Sequence, residues 1–327
     1  MIYKIKQRLN QIYNLNKNFG FRIAFFALLE ALFNYDKRPL RIFLKISKVK
    51  QKYIMQYLYN NYRHIIAEYK NAFLLEKHFE ASTKKIWVFW WQGYDEAPEL
   101  IRICINSIQK NCGEHEVILI SEKNLKKYID FPQYIYKKLN SEIISFTEFS
   151  NIVRIGLLNK YGGLWIDATF YLTESISNNI FKPEFFTGKL EFDENITSLS
   201  AYRWNTALLS GNTSDIIFSF INSFNIHYWE REDYLIDYFL FDYIILLGYN
   251  YIPEIKREID SVPINNLKLF KLNLVLNDKF DNEVYKDIIK DTVFHKLQRR
   301  QKLNLKTKKN RETFYGYIAK EIYNSTD

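Results

Sequence analysis

The chain has 327 residues, of which 47% are apolar and 17% are aromatic. This composition supports a real hydrophobic core and excludes an intrinsically disordered chain. The length allows one large α/β domain with an appendage, or two modest domains. Two cysteines, Cys104 and Cys112, have a spacing that fits neither a zinc site nor a redox pair.

The net charge of +9 is concentrated near the N terminus, where residues 1–70 hold 14 Lys and Arg against three Asp and Glu. Residues 1–80 show a helical pattern with a break at Lys37-Arg38-Pro39, and we expect them to form a basic helical region separate from a main domain at 81–327. Basic and apolar side chains interleave over residues 1–55, which is typical of a segment that lies on an anionic membrane surface. The alternative is a solvated helical pair that packs on the main domain.

The most apolar stretch, Ile23 to Phe33, is too short to span a bilayer. The first residues lack the apolar core and cleavage site of a secretory signal. We therefore expect a cytoplasmic protein that is peripheral to the inner face of the cell membrane. No groove-reading motif accompanies the basic charge, so we expect no nucleic-acid partner.

A strand–helix–strand pattern opens the main domain. The run from Lys84 to Trp91 predicts a buried strand, Pro98 begins a helix that reaches about Lys110, and Glu116 to Ser121 predicts the next strand. This order indicates two parallel strands joined by a right-handed crossover. Later segments add two strand candidates, Phe185–Leu190 and Ala207–Ser210, and three helix candidates, Asp215–His227, Tyr234–Leu247 and Thr313–Tyr323.

The most informative segment predicts a helix that ends and delivers one carboxylate. Ser145 and Glu148 have the spacing of a capping box, and apolar residues follow at helical steps, with Asn151 and Arg154 largely off that apolar stripe. The pair Gly162-Gly163 ends the helix. The short apolar run Leu164–Ile166 predicts a strand that leaves Asp167 at its carboxyl end, where ligands bind in open α/β sheets. Asp167 is then either a ligand or the cap of a turn.

These residues together resemble the capsular polysaccharide synthesis proteins, which are bacterial glycosyltransferases related to retaining enzymes with a DxD sugar signature. The resemblance covers about residues 80–320, and it rests on six segments: Ile86–Gly93, Ala97-Pro98, Cys104–Ser107, Phe149-Ser150 with Arg154, Tyr161–Gly163 and Trp165–Thr169. It implies an α/β fold of the GT-A-like, Rossmann-type class, with a mixed sheet flanked by helices and an N-terminal helical appendage.

The resemblance also implies roles for individual residues. Trp91, Gln92 and Gly93 would approach the nucleotide; Arg154 and Lys296 would face phosphate; Gly162 and Gly163 would let the chain turn at the donor site; and Asp167 would bind sugar hydroxyls or, with Thr169 and His295, a divalent metal, Mn²⁺ or Mg²⁺. The signature reads Asp-Ala-Thr, so Thr169 offers a hydroxyl in place of a second carboxylate. The alternative for His295 is a surface residue beside a strand end.

The resemblance implies the transfer of a sugar from a nucleotide-diphosphate donor to a growing, lipid-linked bacterial glycan, with retention of configuration. A polar stabiliser of the transition state is expected among Gln92, Asn205, Asp237 and Asp242. Asp237 and Asp242 belong to an aromatic helical pattern, where a carboxylate is either paired or functional. Their five-residue separation prevents both from facing one point, and we favour Asp237. The alternative function is that of a catalytically inactive scaffold subunit in a polysaccharide assembly complex.

Overall fold

The computed structural model describes residues 2–33, 40–71, 83–213 and 215–323. The helices are α1 (Ile2–Phe19), α2 (Phe21–Phe33), α3 (Leu40–Asn71), α4 (Glu99–Lys110), α5 (Leu125–Tyr128), α6 (Gln133–Asn140), α7 (Phe146–Tyr161), α8 (Ile216–Arg231), α9 (Leu240–Tyr251), α10 (Pro253–Ser261), α11 (Lys271–Val275), α12 (Asn282–Ile289) and α13 (Phe314–Tyr323), with a 3₁₀ turn at Asn178–Phe181. The strands are β1 (Lys85–Phe89), β2 (Glu116–Ile120), β3 (Gly163–Ile166), β4 (Phe170–Leu172), β5 (Phe185–Thr187), β6 (Leu208–Gly211) and β7 (Phe294–Lys296).

Five of the strands form one mixed sheet in the order β2-β1-β3-β6-β5. β1 is parallel to both β2 and β3, whereas β6 is antiparallel to β3 and to β5. The predicted strand–helix–strand unit and the mixed α/β sheet flanked by helices are therefore confirmed. β4 and β7 form a separate antiparallel pair, in which Phe170 lies opposite Lys296.

The turn between α7 and β3 depends on two glycines. Gly162 and Gly163 have φ angles of 63° and 91°, a region that side chains with a Cβ rarely adopt. A Cβ at Gly163 would lie 2.5 Å from the carbonyl oxygen of Lys85, so β3 can approach β1 closely only because this residue is glycine. The short strand then ends at Ile166 and places Asp167 at the carboxyl edge of the sheet.

The three N-terminal helices pack on the sheet domain and share its hydrophobic core. Ile54, Leu58 and Ile65 of α3 are fully buried and belong to the same cluster as Trp87 and Trp165 of the sheet. The helical character that the sequence predicts is confirmed for the residues described, and the predicted break at 37–39 lies outside them. Within the described ranges, every helix is too short or too polar to cross a membrane.

One predicted helix begins later than expected. The segment from Tyr234 to Phe239 is not helical, and α9 starts only at Leu240. The hydroxyl of Tyr228 donates to the carbonyl of Tyr234 at 2.8 Å and accepts from the amide of Ile236 at 2.9 Å. These bonds give the backbone partners other than those of a helix, and tertiary contacts therefore override the local pattern.

Candidate active site

A cleft of about 290 Å³ opens at the carboxyl edge of the sheet, beside the end of β3. Its walls come from the end of β1, the first half of α7, the turn after β3 and one residue of the basic run from Lys296 to Arg311. The described residues that line it are Phe89, Trp90, Trp91, Gln92, Phe146, Thr147, Ser150, Asn151, Arg154, Asp167, Ala168, Thr169 and Arg299. It is this edge at which the sequence predicts a ligand.

Asp167 is held by three donors from different elements. Its Oδ1 accepts from Nη2 of Arg154 and from Nε1 of Trp165, both at 2.8 Å, and its Oδ2 accepts from Nζ of Lys296 at 2.7 Å. Burial raises the pKa of the Asp167 carboxyl, but Lys296 and Arg154 outweigh it and lower the pKa to about 2. The group is therefore an anion at any physiological pH and a weak base.

Three residues at three-residue steps on α7 connect the helix start to Asp167. Nδ2 of Asn151 donates to the carboxyl of Glu148 at 2.9 Å, and Nη1 of Arg154 donates to Oδ1 of Asn151 at 3.0 Å. The guanidinium of Arg154 also lies against the rings of Trp165 and Phe241, at 5.1 and 5.4 Å from their centroids. The sequence places Asn151 and Arg154 largely off the apolar stripe. Arg154 is nevertheless buried, because its guanidinium is paired with Asp167 and packs against these rings.

The start of α7 is capped as predicted, but the carboxyl of Glu148 has a different role from the one expected. The hydroxyl of Ser145 accepts from the amide of Glu148 at 3.2 Å. The Glu148 side chain does not turn back to the cap; it is buried, and it accepts from Asn151 and from Nε1 of Trp229 at 3.4 Å. Burial raises the pKa of this carboxyl from 4.5 to about 7, and the bonds from Asn151 and Trp229 offset only part of that rise.

This pKa predicts a stabilising substitution. From about pH 4.5 to 7 the folded protein retains a proton that the unfolded chain releases, so stability falls as the pH rises through this window and is constant above it. We expect Glu148→Gln to be more stable than the wild type at pH 8 by about 2–3 kcal/mol, with the difference vanishing below pH 4.5. Urea unfolding of both proteins at a series of pH values measures this difference in the free energy of unfolding.

The exposed Glu122 provides a matched control for that experiment. Glu122→Gln should follow the wild-type curve at every pH. If the free energy of unfolding of Glu148→Gln differed from that of the wild type by the same amount at every pH from 4 to 8, the pKa of Glu148 would not be raised by folding.

Two buried N–H donors at the cleft have no hydrogen-bond partner among the described residues. They are Nε1 of Trp90 and Nε of Arg154. An unsatisfied buried donor costs about 1–3 kcal/mol, so a ligand oxygen that accepts from either group would recover that cost. The guanidinium of Arg299 stands 5.7 Å from the ring of Trp90, and the rings of Trp91 and Phe146 lie 5.7 Å apart. Aromatic faces beside unpaired donors and cations suit a nucleotide base and its phosphates.

The structure brings several of the predicted residues to this cleft. Trp91, Gln92 and Thr169 line it, and Lys296 reaches Asp167 from β7. Gly93, with a φ of 85°, closes the turn that presents Trp91 and Gln92, and its amide donates to the carbonyl of Trp90 at 2.9 Å.

Gly162 and Gly163, predicted at the donor site, lie at the opposite end of β3 from Asp167. Their place is the turn from α7 into the sheet, where close strand packing requires glycine. A ligand at the carboxyl edge therefore does not contact them.

His295 does not reach Asp167. Adjacent residues of a strand point to opposite faces, and Lys296 is the one that faces Asp167. The ring of His295 is fully buried on the other face, with Nε2 3.0 Å from the carbonyl oxygen of Thr292 and 3.4 Å from the hydroxyl of Thr173. Burial lowers the pKa of His295 to about 4, so the ring is neutral.

Asp237 lies away from the cleft, in the non-helical segment before α9. Its carboxylate pairs with Lys50 of α3 at 2.8 Å, and Lys50 also bonds Glu30 of α2. This group lines a separate cavity of about 660 Å³ beside the N-terminal helices. The favoured role of Asp237 as a polar stabiliser at the reacting centre does not fit this position.

Asp242 is closer to the site than Asp237. It lines a hollow of about 180 Å³ together with Trp204 and Asn205, on the β6 side of the sheet edge. Oδ1 of Asp242 accepts from Nε1 of Trp204 at 2.9 Å. Burial raises the pKa of Asp242 to about 6, although the bond from Trp204 and the charge of Arg154 oppose that rise.

The donor set around Asp167 does not fit a divalent cation. Both oxygens of Asp167 already accept from cationic or N–H donors, Thr169 offers a hydroxyl, and His295 faces away. Hard cations require several oxygen ligands that are free to coordinate. Within residues 2–33, 40–71, 83–213 and 215–323, the group of three His, Cys, Asp or Glu able to hold a metal is Glu184, Glu254 and Glu258, which does not line the cleft.

Fold and site together define a mixed α/β protein with an aromatic, cation-rich cleft at the carboxyl edge of its sheet. Residues 39–318 match the sequence profile of the capsular polysaccharide synthesis protein family, and the chain belongs to that family. This confirms the resemblance that the motifs indicate.

Individual relatives are more distant. The O-glycosyltransferase braB of Annulohypoxylon truncatum is 30% identical over an alignment of 126 residues that covers 35% of this chain and 30% of that protein. The match thus spans less than a third of the relative. Among solved structures, the PaToxG Glycosyltransferase aligns with a TM-score of 0.36 and 14% identity, covering 73% of this chain and 94% of the other.

The sequence did not assign a site role to several residues that line the cleft, although Trp90 and Ser150 belong to segments on which the resemblance rests. Trp90, Phe146, Thr147 and Ser150 join it through the packing of α7 against the end of β1. A signal was available for Trp90, since it follows a buried strand directly. Arg299 lines the cleft although its position within a basic run indicates a solvated charge.

Proposed function

We propose that the protein is a glycosyltransferase of GT-A-like fold. Its donor is a nucleotide-diphosphate sugar, and it transfers a hexose or a related sugar to a bacterial capsular or surface polysaccharide. The observation that carries this proposal is the cleft at the carboxyl edge, where unpaired N–H donors of Trp90 and Arg154 stand beside aromatic rings and cationic groups. A nucleoside diphosphate offers both a base that stacks and oxygens that accept. Membership in the capsular polysaccharide synthesis family supports the same substrate class.

In this reaction the bond between the anomeric carbon and the diphosphate oxygen breaks, and its electron pair leaves with the nucleoside diphosphate. The acceptor hydroxyl oxygen forms the new bond to that carbon, and its proton passes to the departing diphosphate. Asp167, the carboxylate among the described residues that line the cleft, is a weak base because its pKa is about 2. This supports transfer with retention, in which no strong protein base is needed.

The anomeric configuration of the product tests that stereochemistry. Proton NMR of the first-formed glycoside should show the configuration of the donor. An inverted product would instead require a general base, and Asp242→Asn would then test whether Asp242, whose pKa burial raises to about 6, has that role.

A screen of nucleotide sugars for hydrolysis tests the proposed function. The released nucleoside diphosphate is the readout. We expect at least one donor to be hydrolysed slowly in the absence of an acceptor. Calorimetric titration with nucleoside diphosphates adds a readout that does not depend on turnover. If no donor is hydrolysed and no nucleotide binds, the chain is a scaffold subunit of an assembly complex rather than an enzyme.

We also propose that the acceptor is lipid-linked and presented at the inner face of the cell membrane. The exposed surface of the N-terminal helices supports this proposal. Leu9 and Tyr13 lie one turn apart on α1, Phe21 and Phe25 lie one turn apart on α2, and all four are exposed. Exposed basic residues surround them: Lys6, Arg8, Lys17, Arg22, Arg41, Lys45 and Lys48. Apolar side chains among exposed cations are the pattern of a helix that lies on anionic lipid.

Binding to vesicles checks this surface. We expect the wild type to co-sediment with vesicles that contain phosphatidylglycerol, with binding that weakens as salt increases. The double variant Phe21→Ser/Phe25→Ser should lose about tenfold or more in affinity, because burial of each aromatic ring in the interface contributes about 1.5–3 kcal/mol.

The control for the vesicle experiment is Phe192→Ser, an exposed aromatic residue outside the N-terminal helices. It should bind like the wild type. Equal binding of all three proteins, or binding to neutral vesicles at the same strength, would show that α1 and α2 do not contact the membrane.

A further inference from the structure

We propose that Lys296, held in place by Asp167, supplies the positive charge that faces the diphosphate, so that this transferase binds its donor and releases its product without a divalent cation. This inference rests on the proposed function and concerns the chemistry of the same cleft. It departs from the metal dependence that the family resemblance implies.

The first step of the argument is the occupancy of Asp167. Each of its oxygens already accepts a hydrogen bond, Oδ1 from Arg154 and Trp165 and Oδ2 from Lys296. A metal ion at Oδ2 would have to displace the ammonium of Lys296 or stand beside it. Two cations that contact the same carboxylate oxygen repel each other strongly in a partly buried site.

The second step is that the backbone of Lys296 is fixed. The residue pairs with Phe170 across the β4–β7 ladder, its amide donates to the carbonyl of Leu269 at 2.8 Å, and the amide of Leu297 donates to the carbonyl of Thr169 at 2.9 Å. The ammonium stands 5.0 Å from the ring centroid of Phe170. Its side chain is 23% exposed, so the ammonium combines a fixed position with partial access to solvent beside Asp167.

The third step is the residue at position 169. Thr169 lines the cleft and provides a neutral hydroxyl, so it adds no negative charge beside Asp167. With threonine there, Lys296 and Arg154 together outnumber the one carboxylate that they share.

The fourth step is the charge of the whole cleft. Among the described residues that line it or bond Asp167, Arg154, Lys296 and Arg299 are cationic and Asp167 is anionic. The excess of positive charge matches the negative charge of a diphosphate. The unpaired Nε–H of Arg154 supplies a directed donor as well. During transfer, charge that develops on the leaving oxygen is stabilised by groups already in position.

The test is calorimetric titration of the full chain with UDP, GDP, ADP, CDP and dTDP, first in excess EDTA and then with MnCl₂. We expect one of these nucleotides to bind in EDTA with an affinity that Mn²⁺ changes by less than about threefold. Lys296→Met should weaken that binding about tenfold or more, which is the scale of one charge-assisted hydrogen bond. Lys296→Arg should restore most of it.

Lys302→Met is the matched control, because Lys302 is an exposed lysine of the same basic run; it should bind like the wild type. Binding that appears only with Mn²⁺, or that is unaffected by Lys296→Met, would overturn this inference and leave the proposed function intact. If no nucleotide binds in either condition, both the proposed function and this inference are wrong. The Lys296→Arg variant separates a loss of charge from a loss of fold.

Discussion

Replacing Asp167 with Asn is expected to reduce donor hydrolysis about 100-fold. The substitution keeps the size of the side chain but removes the charge that positions Arg154 and Lys296 together. Displacement of positioning groups by about 1 Å is enough for a loss of that size. Steady-state hydrolysis of the donor identified in the screen measures it, and circular dichroism checks the fold.

The same substitution should also lower stability, by about 1–3 kcal/mol. Arg154 is buried and would be left without its anionic partner, although the amide oxygen of Asn can still accept one bond. Asp281→Asn is the control: Asp281 is exposed, caps α12 far along the chain, and Asn caps a helix equally well. Full activity in Asp167→Asn would remove Asp167 from the site.

Replacing Gly163 with Ala is expected to produce a large loss of stability from a single methyl group. The residue has a φ of 91°, and its Cβ would lie 2.5 Å from the backbone oxygen of Lys85. Backbone strain and the forced separation of β3 from β1 should together cost about 3–5 kcal/mol. The midpoint of urea unfolding measures the change.

Gly93 offers a matched comparison for that experiment. Its φ of 85° is similar, but the nearest heavy atom to a Cβ there is Cβ of Ser121 at 4.0 Å. Gly93→Ala should therefore show only the backbone strain, about 1–2 kcal/mol. Equal losses for the two variants would mean that the contact with Lys85 relaxes freely and that strand packing does not require glycine at 163.

The position of Asp167 could be predicted because the signals that place it are local. A serine cap, a double glycine and a short apolar run lie within 23 residues of one another, and each acts on the backbone at its own position. The same holds for the first parallel strand pair. Local rules of this kind survive in the folded chain when no distant contact competes with them.

The functions predicted for His295 and Asp237 depended on contacts that no local pattern contains. Lys296 and His295 are neighbours in β7, and only the pairing of β7 with β4 determines which of them faces Asp167. Asp237 was placed by a helical pattern, yet Tyr228 and Lys50 hold its segment by bonds from α8 and α3. The same limit explains why Phe146 was not recognised as a wall of the cleft.

Because they share one hydrophobic core, the N-terminal helices and the sheet domain form a single folding unit. Tyr62 of α3 is buried against Phe224 and Tyr228 of α8, with ring centroids 4.9 and 5.9 Å apart, and its hydroxyl donates to Glu232. A chain that began at residue 81 would expose these rings and leave the Glu232 carboxylate without that donor. The sheet domain therefore depends on the helices that precede it to cover this part of its core, and a lipid-bound N terminus would hold the sheet edge at a set distance from the bilayer.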